Sequence, residues 1–423
     1  MSHLAQTTCG RLWMELQSLS VYRQVLDRPV VSALTGLLEA AVKLEEDRLD
    51  TTAAFCTKWG RLCATLAGMG KLDSLPAAVA AEVLEDDNAF SSLLSSGQPV
   101  PELLQRAALR DLGVLYRAAE LLPEQLLEEV DPLMADGLAR WGSNPAKPPM
   151  DEPWDQGLEA LTAYHKAHGC GRFARHRAFL WRDGELLSVE HPDPIRLSNL
   201  KGYEYQRQIA VDNTLAFLNG FEANNMLLYG DRGTGKSSTV KALLNEYAGE
   251  GLRMIEMPKE FLRQLPDLTG YLAGLPMKFI VFIDDLSFAG DDDNFAALKA
   301  VLEGGLASRP QNVIIYATSN RRHLLRESFK DRNGDDLHSA DTIQESVSLS
   351  DRFGISLTFL MPDKQRFLEI VEQIAADRRL QVDKQELLGA AERWALERGA
   401  RSPRYARQFV ADAEARLARG ERL

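Results

Sequence analysis

The stretch 230–237 has the residue types and the spacing of a phosphate-binding loop. Gly230, Gly235, Lys236 and Ser237 fit the pattern G-x-x-x-x-G-K-[ST]. In such loops backbone N–H groups surround the phosphates of a nucleotide, the lysine reaches the β- and γ-phosphates, and the serine hydroxyl ligates Mg²⁺. An apolar run precedes the pattern and helix-forming sequence follows it, as this loop requires. The sequence therefore predicts a nucleotide phosphate site with Ser237 as a metal ligand.

The other residues of this loop complete the predicted site. Glycines accept left-handed backbone angles and let the chain approach phosphate closely, and the following helix presents its positive N-terminal end. The further predicted nucleotide-binding residues are Asp231, Arg232, Gly233, Thr234 and Ser238.

Polar residues also follow two later apolar segments. Asp284 and Asp285 come directly after 279–283, and Asn320 follows 313–317. One carboxylate can hold Mg²⁺ through water while its neighbour polarises an attacking water. The Asn320 amide can hydrogen-bond the γ-phosphate or that water, although a turn or capping role explains it equally well. We predict Asp284 as a metal residue, and Asp285 and Asn320 as catalytic residues.

Three arginines are further candidates for residues that act on the nucleotide phosphates. Arg352 precedes the last apolar segment. Ser402 and Pro403 are N-cap and first-turn signals of the last predicted helix. Arg401 and Arg404 therefore lie at a helix start, from which they can reach back to a phosphate.

Five short apolar segments recur at the spacing of an α/β fold, separated by helix-compatible stretches. This pattern predicts a five-stranded parallel sheet with helices on both faces. Ligands of such sheets bind outside the carboxyl ends of the strands, where the phosphate loop and the polar residues fall. The predicted strands are 226–229, 252–257, 279–283, 313–317 and 356–360.

The chain divides into four predicted regions. Residues 1–141 have helical periodicity and are expected to form an α-helical N-terminal domain, which is a partner-binding module or a structural cap. Residues 142–191 contain a linker rich in Gly and Pro, a short helix and a β-hairpin with an Asp-Gly turn at 183–184, which is expected to close that domain. The nucleotide-binding core follows at 192–361 and a helical lid at 362–423.

Composition limits the class of function. The chain has 423 residues and a formal net charge of −12. This acidic balance argues against a broad basic surface, so a nucleic-acid partner is not expected. No apolar run approaches the ~20 residues that span a bilayer, and the N-terminus lacks a basic region followed by an apolar stretch. Four scattered cysteines agree with a reducing compartment. We expect a cytoplasmic protein without membrane association.

A second group of possible metal ligands lies before the hairpin. His165, His168, Cys170 and His176 are close in sequence, but their spacing does not match that of structural zinc motifs. Surface histidines on a helix end and loop are the alternative.

The motifs and their order resemble those of AAA+ ATPases over residues 192–423. The resemblance implies ATP and Mg²⁺ as cofactors, Gly202 and Tyr203 in the adenine-binding box, Asn320 as sensor 1 and Arg352 as arginine finger. It also places sensor 2 at Arg401, with Arg404 as the other candidate in the lid.

More closely, the segments beginning at Asn224, Phe282, Tyr316 and Ser348 resemble a bacterial AAA+ family long filed as a domain of unknown function. That family implies ATP binding and the fold, and it supplies no established substrate. Two departures from better-known AAA+ machines matter. The segment that resembles Walker B, Phe279–Asp285, ends in Asp-Asp, as in replication initiators, where many AAA+ machines have Asp-Glu. The stretch after the second strand shows no aromatic pore loop, which disfavours polypeptide threading.

The resulting expectation is an ATP hydrolase that remodels or releases an unidentified protein partner held by the N-terminal domain. A homo-oligomer is expected, because Arg352 can serve only the site of a neighbouring subunit. The alternatives are a nucleotide-switched binding protein with little turnover and a helicase-loader-like ATPase that acts on DNA.

Overall fold

The structure is a computed structural model that describes residues 8–44, 48–127, 135–287, 293–303, 310–320 and 352–423. The chain separates into two compact units, Met1–Arg175 and His176–Leu423.

The first unit is helical throughout its described residues. Its core is formed by buried leucines, valines and aromatic side chains, among them Phe55 and Trp59. Periodic apolar faces on the helices supply this core. The helices are α1 Thr8–Gln17, α2 Pro29–Val42, α3 Leu49–Gly68, α4 Leu75–Leu84, α5 Ala89–Ser96, α6 Glu102–Ala119, α7 Pro123–Leu127, α8 Leu158–His168 and α9 Gly171–Arg175, with a 3₁₀ helix at Arg23–Asp27.

A buried carboxylate fixes the turn that follows α1. Asp111 of α6 is fully buried, and its Oδ2 accepts hydrogen bonds from the backbone N–H groups of Ser20 at 2.8 Å, Val21 at 2.7 Å and Tyr22 at 3.3 Å. Hydrogen bonds from backbone N–H groups satisfy a charged group that has lost its water. The polar contact thus holds α1 and α6 in one arrangement.

The second unit is built on a seven-stranded sheet in the order β2-β1-β4-β5-β6-β3-β7. The pairs β1–β4, β4–β5, β5–β6, β6–β3 and β3–β7 are parallel, and β1–β2 is antiparallel. The carboxyl ends of the parallel strands therefore share one edge. The strands are β1 Ala178–Arg182, β2 Glu185–Ser188, β3 Met226–Gly230, β4 Leu252–Glu256, β5 Lys278–Ile283, β6 Val313–Ser319 and β7 Ile355–Phe359.

The sequence predicts five strands, and the number is wrong because the hairpin joins the sheet. Strand β1 pairs with β4, with Phe179 opposite Ile255. Asp183 and Gly184 have φ values of 52° and 80°, which fit the predicted type I′ turn. The expectation that the hairpin closes the N-terminal domain is also wrong. Two apolar arms around an Asp-Gly turn identify a hairpin, but they do not show which sheet edge it will cover.

Helices surround this sheet. The strands β4, β5 and β6 are almost entirely buried, as expected of a parallel sheet covered on both faces. None of the described helices is both long and apolar enough to cross a membrane. The helices are α10 Glu204–Leu218, α11 Lys236–Tyr247, α12 Leu265–Ala273, α13 Asp293–Glu303, and α14 Lys364–Asp377, α15 Lys384–Arg398 and α16 Pro403–Ala418 of the lid, with 3₁₀ helices at Leu197–Asn199, Ala248–Glu250 and Lys259–Gln264.

Candidate nucleotide-binding site

The phosphate-binding loop connects the end of β3 at Gly230 to the start of α11 at Lys236. Gly230 has a φ of 130°, and a Cβ added there would lie 2.3 Å from the carbonyl oxygen of Phe359 in β7. Only glycine combines this backbone angle with so close an approach. The neighbouring strand therefore dictates how the chain leaves β3 and enters the loop.

Replacing Gly230 by alanine is expected to weaken nucleotide binding by about 10-fold or more, because backbone strain of about 1–3 kcal/mol must be met within the loop. Titration calorimetry of ATP binding to the variant and to the natural protein measures this effect. Gly249→Ala is the matched control, since a Cβ at Gly249 meets no atom within 4 Å. Equal affinities for Gly230→Ala and the natural protein would contradict this account of the loop.

Lys236 lies inside the loop with 6% of its surface exposed. Its Nζ donates to the carbonyl oxygens of Gly230 at 2.9 Å and Asp231 at 2.7 Å, and to Oδ1 of Asn320 at 3.1 Å. Burial lowers the pKa of Lys236, and the charges of Asp231, Asp285 and Asp284 oppose this change. A buried ammonium group held by neutral oxygens is well suited to accept the negative charge of a phosphate.

The residues predicted to hold the metal lie together. The Ser237 hydroxyl donates to Oδ1 of Asp284 at 2.6 Å, so α11 and the end of β5 place a hydroxyl and a carboxylate side by side. Magnesium in proteins prefers oxygen ligands and usually takes one or two carboxylates together with substrate phosphates. The pair therefore fits Mg²⁺ beside the phosphate loop.

Asp285 and Asn320 also meet. The Asn320 Nδ2 donates to Oδ1 of Asp285 at 2.6 Å, while the amide oxygen of Asn320 accepts from Lys236. Asp285 has a φ of 51°, a left-handed conformation that few residues other than glycine adopt and that is found at functional sites. The amide thus connects the lysine of the loop to the second acid.

One cavity of about 480 Å³ collects these groups. Its volume suits a nucleotide-sized ligand, and it opens at the carboxyl edge of the sheet. The residues that line it are Arg232, Gly233, Gly235, Lys236, Ser237, Ser238, Asp284, Asp285, Thr318, Asn320 and Arg404.

Asp231 and Thr234 brace the loop from within. The Thr234 hydroxyl donates to the carbonyl oxygen of Asp231 at 2.8 Å. The Asp231 carboxylate accepts from the backbone N–H of Met361 at 2.5 Å, just before the lid. Both side chains therefore shape the loop.

A second, narrower cleft adjoins the first, with walls that include Tyr203, Phe359 and Ile370. Tyr203 has a φ of 58°, and its ring centroid lies 5.0 Å from that of Phe359. Burial, and to a lesser extent the charge of Asp231, raise the pKa of Tyr203 to about 12. The neutral phenol donates to the carbonyl oxygen of Leu360 at 2.5 Å. Flat apolar walls beside the phosphate loop suit a nucleobase.

Gly202 lies beside this cleft. Its φ is 75°, and a Cβ there would lie 3.0 Å from Cδ1 of Ile370 in the lid. The loop that carries Tyr203 therefore packs closely against α14.

The lid reaches the phosphate loop through the start of α16. The backbone N–H of Arg404 donates to the carbonyl oxygen of Gly233 at 3.2 Å, and a Cβ at Gly233 would lie 2.9 Å from the Ser402 hydroxyl. Arg404 lines both cavities. Arg401 is not among the described residues that line either one. The geometry brings Arg404, rather than Arg401, to the loop.

Arg352 lies near the amino ends of the strands, at the end of the sheet opposite the phosphate loop. It precedes β7, whose first residue, Ile355, is opposite Met226 at the start of β3, and whose last, Phe359, is opposite Gly230. The four residue steps between these pairs cover about 13 Å. The structure thus separates Arg352 from the phosphate loop of its own chain.

Of the described residues that line the 480 Å³ cavity, Thr318 is the one that has no predicted role. Its side chain is 2% exposed and contacts both aspartates. Thr318 lies two residues before Asn320, near the end of β6, and this place near a strand end is the signal that could have identified it.

The histidine group shows no comparable arrangement. Nowhere in the described part of the chain do three His, Cys, Asp or Glu side chains lie together as a structural zinc site would require. In the first unit, Nδ1 of His165 is 2.9 Å from the carbonyl oxygen of Gly169.

Comparison with known proteins shows which family the chain belongs to. The family model described as "Protein of unknown function (DUF815)" matches residues 174–417, more than half of the chain. The chain belongs to the DUF815 family. This confirms the predicted resemblance to an AAA+ family filed as a domain of unknown function. The DUF815 chain is a mixed α/β protein whose mostly parallel sheet carries the phosphate loop at the end of β3.

The solved structures similar to this DUF815 chain include the Thermotoga maritima RuvB Holliday junction branch migration motor, at 18% identity and a TM-score of 0.37. The match covers 54% of this chain and 66% of that chain. Two mutant forms of the same protein match with TM-scores of 0.37 and identities of 17% and 18%, each covering 54% of this chain and 66% of its own. No curated protein matches the chain.

Proposed function

We propose that this protein is an Mg²⁺-dependent ATP hydrolase that couples turnover to the remodelling or release of a protein partner. The observation that carries the proposal is the continuous hydrogen-bonded arrangement around one cavity. Lys236 contacts Asn320, and Asn320 contacts Asp285. Ser237 contacts Asp284 at the same cavity.

Each of these residues has a role in phosphoryl transfer. Lys236 and the loop N–H groups hold the β- and γ-phosphates, and Ser237 and Asp284 hold the metal. Bound Mg²⁺ would neutralise the charge that develops on the phosphate oxygens. Asp285 polarises the attacking water, and Asn320 holds the Asp285 carboxylate while facing the γ-phosphate position.

The lid and the cleft supply the remaining contacts. Arg404 and Arg401 are the candidate lid sensors, and the cavity lining favours Arg404. Gly202 and Tyr203 form one side of the adenine site.

The first unit is the proposed partner-binding region. It has its own hydrophobic core and a surface cleft of about 440 Å³ between α1 and α6. Arg11, Glu15, Tyr116 and Arg117 contribute charged and aromatic groups to that cleft. A cleft with both kinds of side chain suits an extended polypeptide segment.

One observation favours a second candidate, a nucleotide-switched binding protein with little turnover. Oδ1 of Asp285 accepts a hydrogen bond from Asn320, so one oxygen of the proposed base is already engaged. The aspartate side chain is also one methylene shorter than the glutamate that many better-known AAA+ machines have at this position. Both features would slow the activation of water and prolong the ATP-bound state.

The deciding experiment measures phosphate release from ATP by concentrated protein, with Mg²⁺ and with EDTA, together with partner capture in ATP, in ADP and without nucleotide. Hydrolysis that requires Mg²⁺, with capture that changes with the nucleotide, is the expected result. ATP binding without phosphate release would exclude the hydrolase and leave the switch. Equal capture in all three states would exclude coupling to a partner in either form.

A further inference from the structure

Thr318 is the described residue that touches both aspartates of the proposed ATPase site. It lies in β6, the strand next to β5, from which Asp284 and Asp285 follow. Its Oγ1 is 2.5 Å from Oδ1 of Asp284 and 3.0 Å from the backbone nitrogen of Asp285. The Thr318 side chain is itself buried, whereas Asp284 is half-buried and Asp285 is exposed.

The directions of the two hydrogen bonds follow from chemistry. The backbone N–H of Asp285 can only donate, so Oγ1 of Thr318 accepts from it. The ionised carboxylate of Asp284 can only accept, so the single hydroxyl proton of Thr318 points to it. The O–H donor and one acceptor lone pair of the hydroxyl are then engaged, which fixes the direction of its proton.

This orientation matters because Asp285 has a left-handed backbone. A φ of 51° is unfavourable for aspartate unless neighbouring contacts hold it. Thr318 contacts both sides of this residue, through Oγ1 to the Asp285 N–H and through its carbonyl oxygen to the N–H of Leu286 at 2.7 Å. The Ser319 hydroxyl adds a bond to the Leu286 carbonyl oxygen at 2.8 Å.

We propose that Thr318 is a positioning residue that orients the carboxylates of Asp284 and Asp285 toward different partners. Its hydroxyl holds Asp284 toward Ser237, and its bond to the backbone turns the Asp285 carboxylate to Asn320. Thr318 does not touch the reacting atoms in this proposal, which rests on the proposed ATPase function. A valine has the same shape as threonine and provides neither hydrogen bond.

The test compares Thr318→Val with Thr318→Ser, which keeps the hydroxyl. Thr269→Val is the control, because Thr269 is also buried and, among the described residues, its hydroxyl donates to the Pro266 carbonyl oxygen of α12 at 3.0 Å. Three quantities are measured for each variant: kcat for ATP, the Mg²⁺ concentration at half-maximal nucleotide binding, and the nucleotide Kd in EDTA.

Thr318→Val is expected to lower kcat and to raise the half-maximal Mg²⁺ concentration, each by about 10- to 100-fold, as removal of residues that orient metal ligands does elsewhere. The Kd in EDTA should stay within about threefold, since the loop itself is unchanged. Thr318→Ser should recover most of both losses, and Thr269→Val should match the natural protein.

Three outcomes would overturn the proposal: a Thr318→Val variant equal to the natural protein, a Thr318→Ser variant as impaired as Thr318→Val, or loss of nucleotide binding in EDTA. Absence of ATP turnover by the natural protein would refute the proposed ATPase function. The positioning role of Thr318 could still be tested by nucleotide binding. The Mg²⁺ dependence of binding would then decide, with an unchanged Thr318→Val value counting against the positioning role.

Discussion

Replacing Asp285 by asparagine is expected to lower ATP hydrolysis by about 100-fold or more, which is the contribution of a positioned general base. Asparagine has the shape of aspartate, and its carbonyl oxygen can still accept the hydrogen bond that Asn320 donates to Oδ1. The site therefore keeps its arrangement and loses the charge that polarises water. ATP should stay bound, because Lys236 and the loop are unchanged.

Single-turnover hydrolysis and ATP affinity measure the two halves of this prediction separately. Asp267→Asn is the control, since Asp267 is an exposed acid in the first turn of α12. The same Asp285→Asn protein should also retain its partner through purification with ATP, and mass spectrometry would identify it. Normal turnover by Asp285→Asn would remove the residue from the mechanism.

Replacing Arg352 by alanine is expected to reduce hydrolysis by about 10³-fold, the lower end of what arginine fingers supply in other nucleotide hydrolases. The arginine lies before β7, at the opposite edge of the sheet from Gly230. An arginine finger at this position would serve the site of a neighbouring copy. We propose a nucleotide-promoted homo-oligomer with head-to-tail contacts, which forms a ring if its rotation closes.

Mixing two inactive variants tests this arrangement directly. In equal mixtures of Lys236→Ala and Arg352→Ala proteins, about one quarter of head-to-tail contacts pair an intact loop with an intact arginine. The ATPase activity of the mixture should recover toward about one quarter of that of the natural protein. Light scattering should show assembly that requires ATP. Arg182→Ala, at an exposed arginine of the hairpin, should change neither quantity. Full activity from strictly monomeric protein would refute the proposal.

The sheet and the phosphate loop could be predicted because their causes are local. The β3 segment is a short apolar run, and the glycines with Lys236 and Ser237 have one dominant structural use. Asp284 and Asn320 followed from the rule that polar residues at adjacent strand ends meet. Local pattern was sufficient wherever the place of a residue at the end of a strand decides its position in the site.

The parts that could not be predicted depend on contacts between distant segments. Nothing near the hairpin shows that Phe179 will pair with Ile255. The choice between Arg401 and Arg404 depends on how α16 approaches Gly233. Thr318 was missed because its role appears only once β5 and β6 are adjacent.

The hairpin also determines which strand edge meets solvent. Without β1, strand β4 would expose its unpaired N–H and C=O groups along a five-residue segment of which four residues are buried. Apolar edges of this kind pair with other chains and aggregate. In its place, β2 presents a four-residue edge with exposed Glu185. A fragment beginning at residue 192 should therefore precipitate during expression, whereas one beginning at residue 176 should stay in solution, which centrifugation of the two lysates would show.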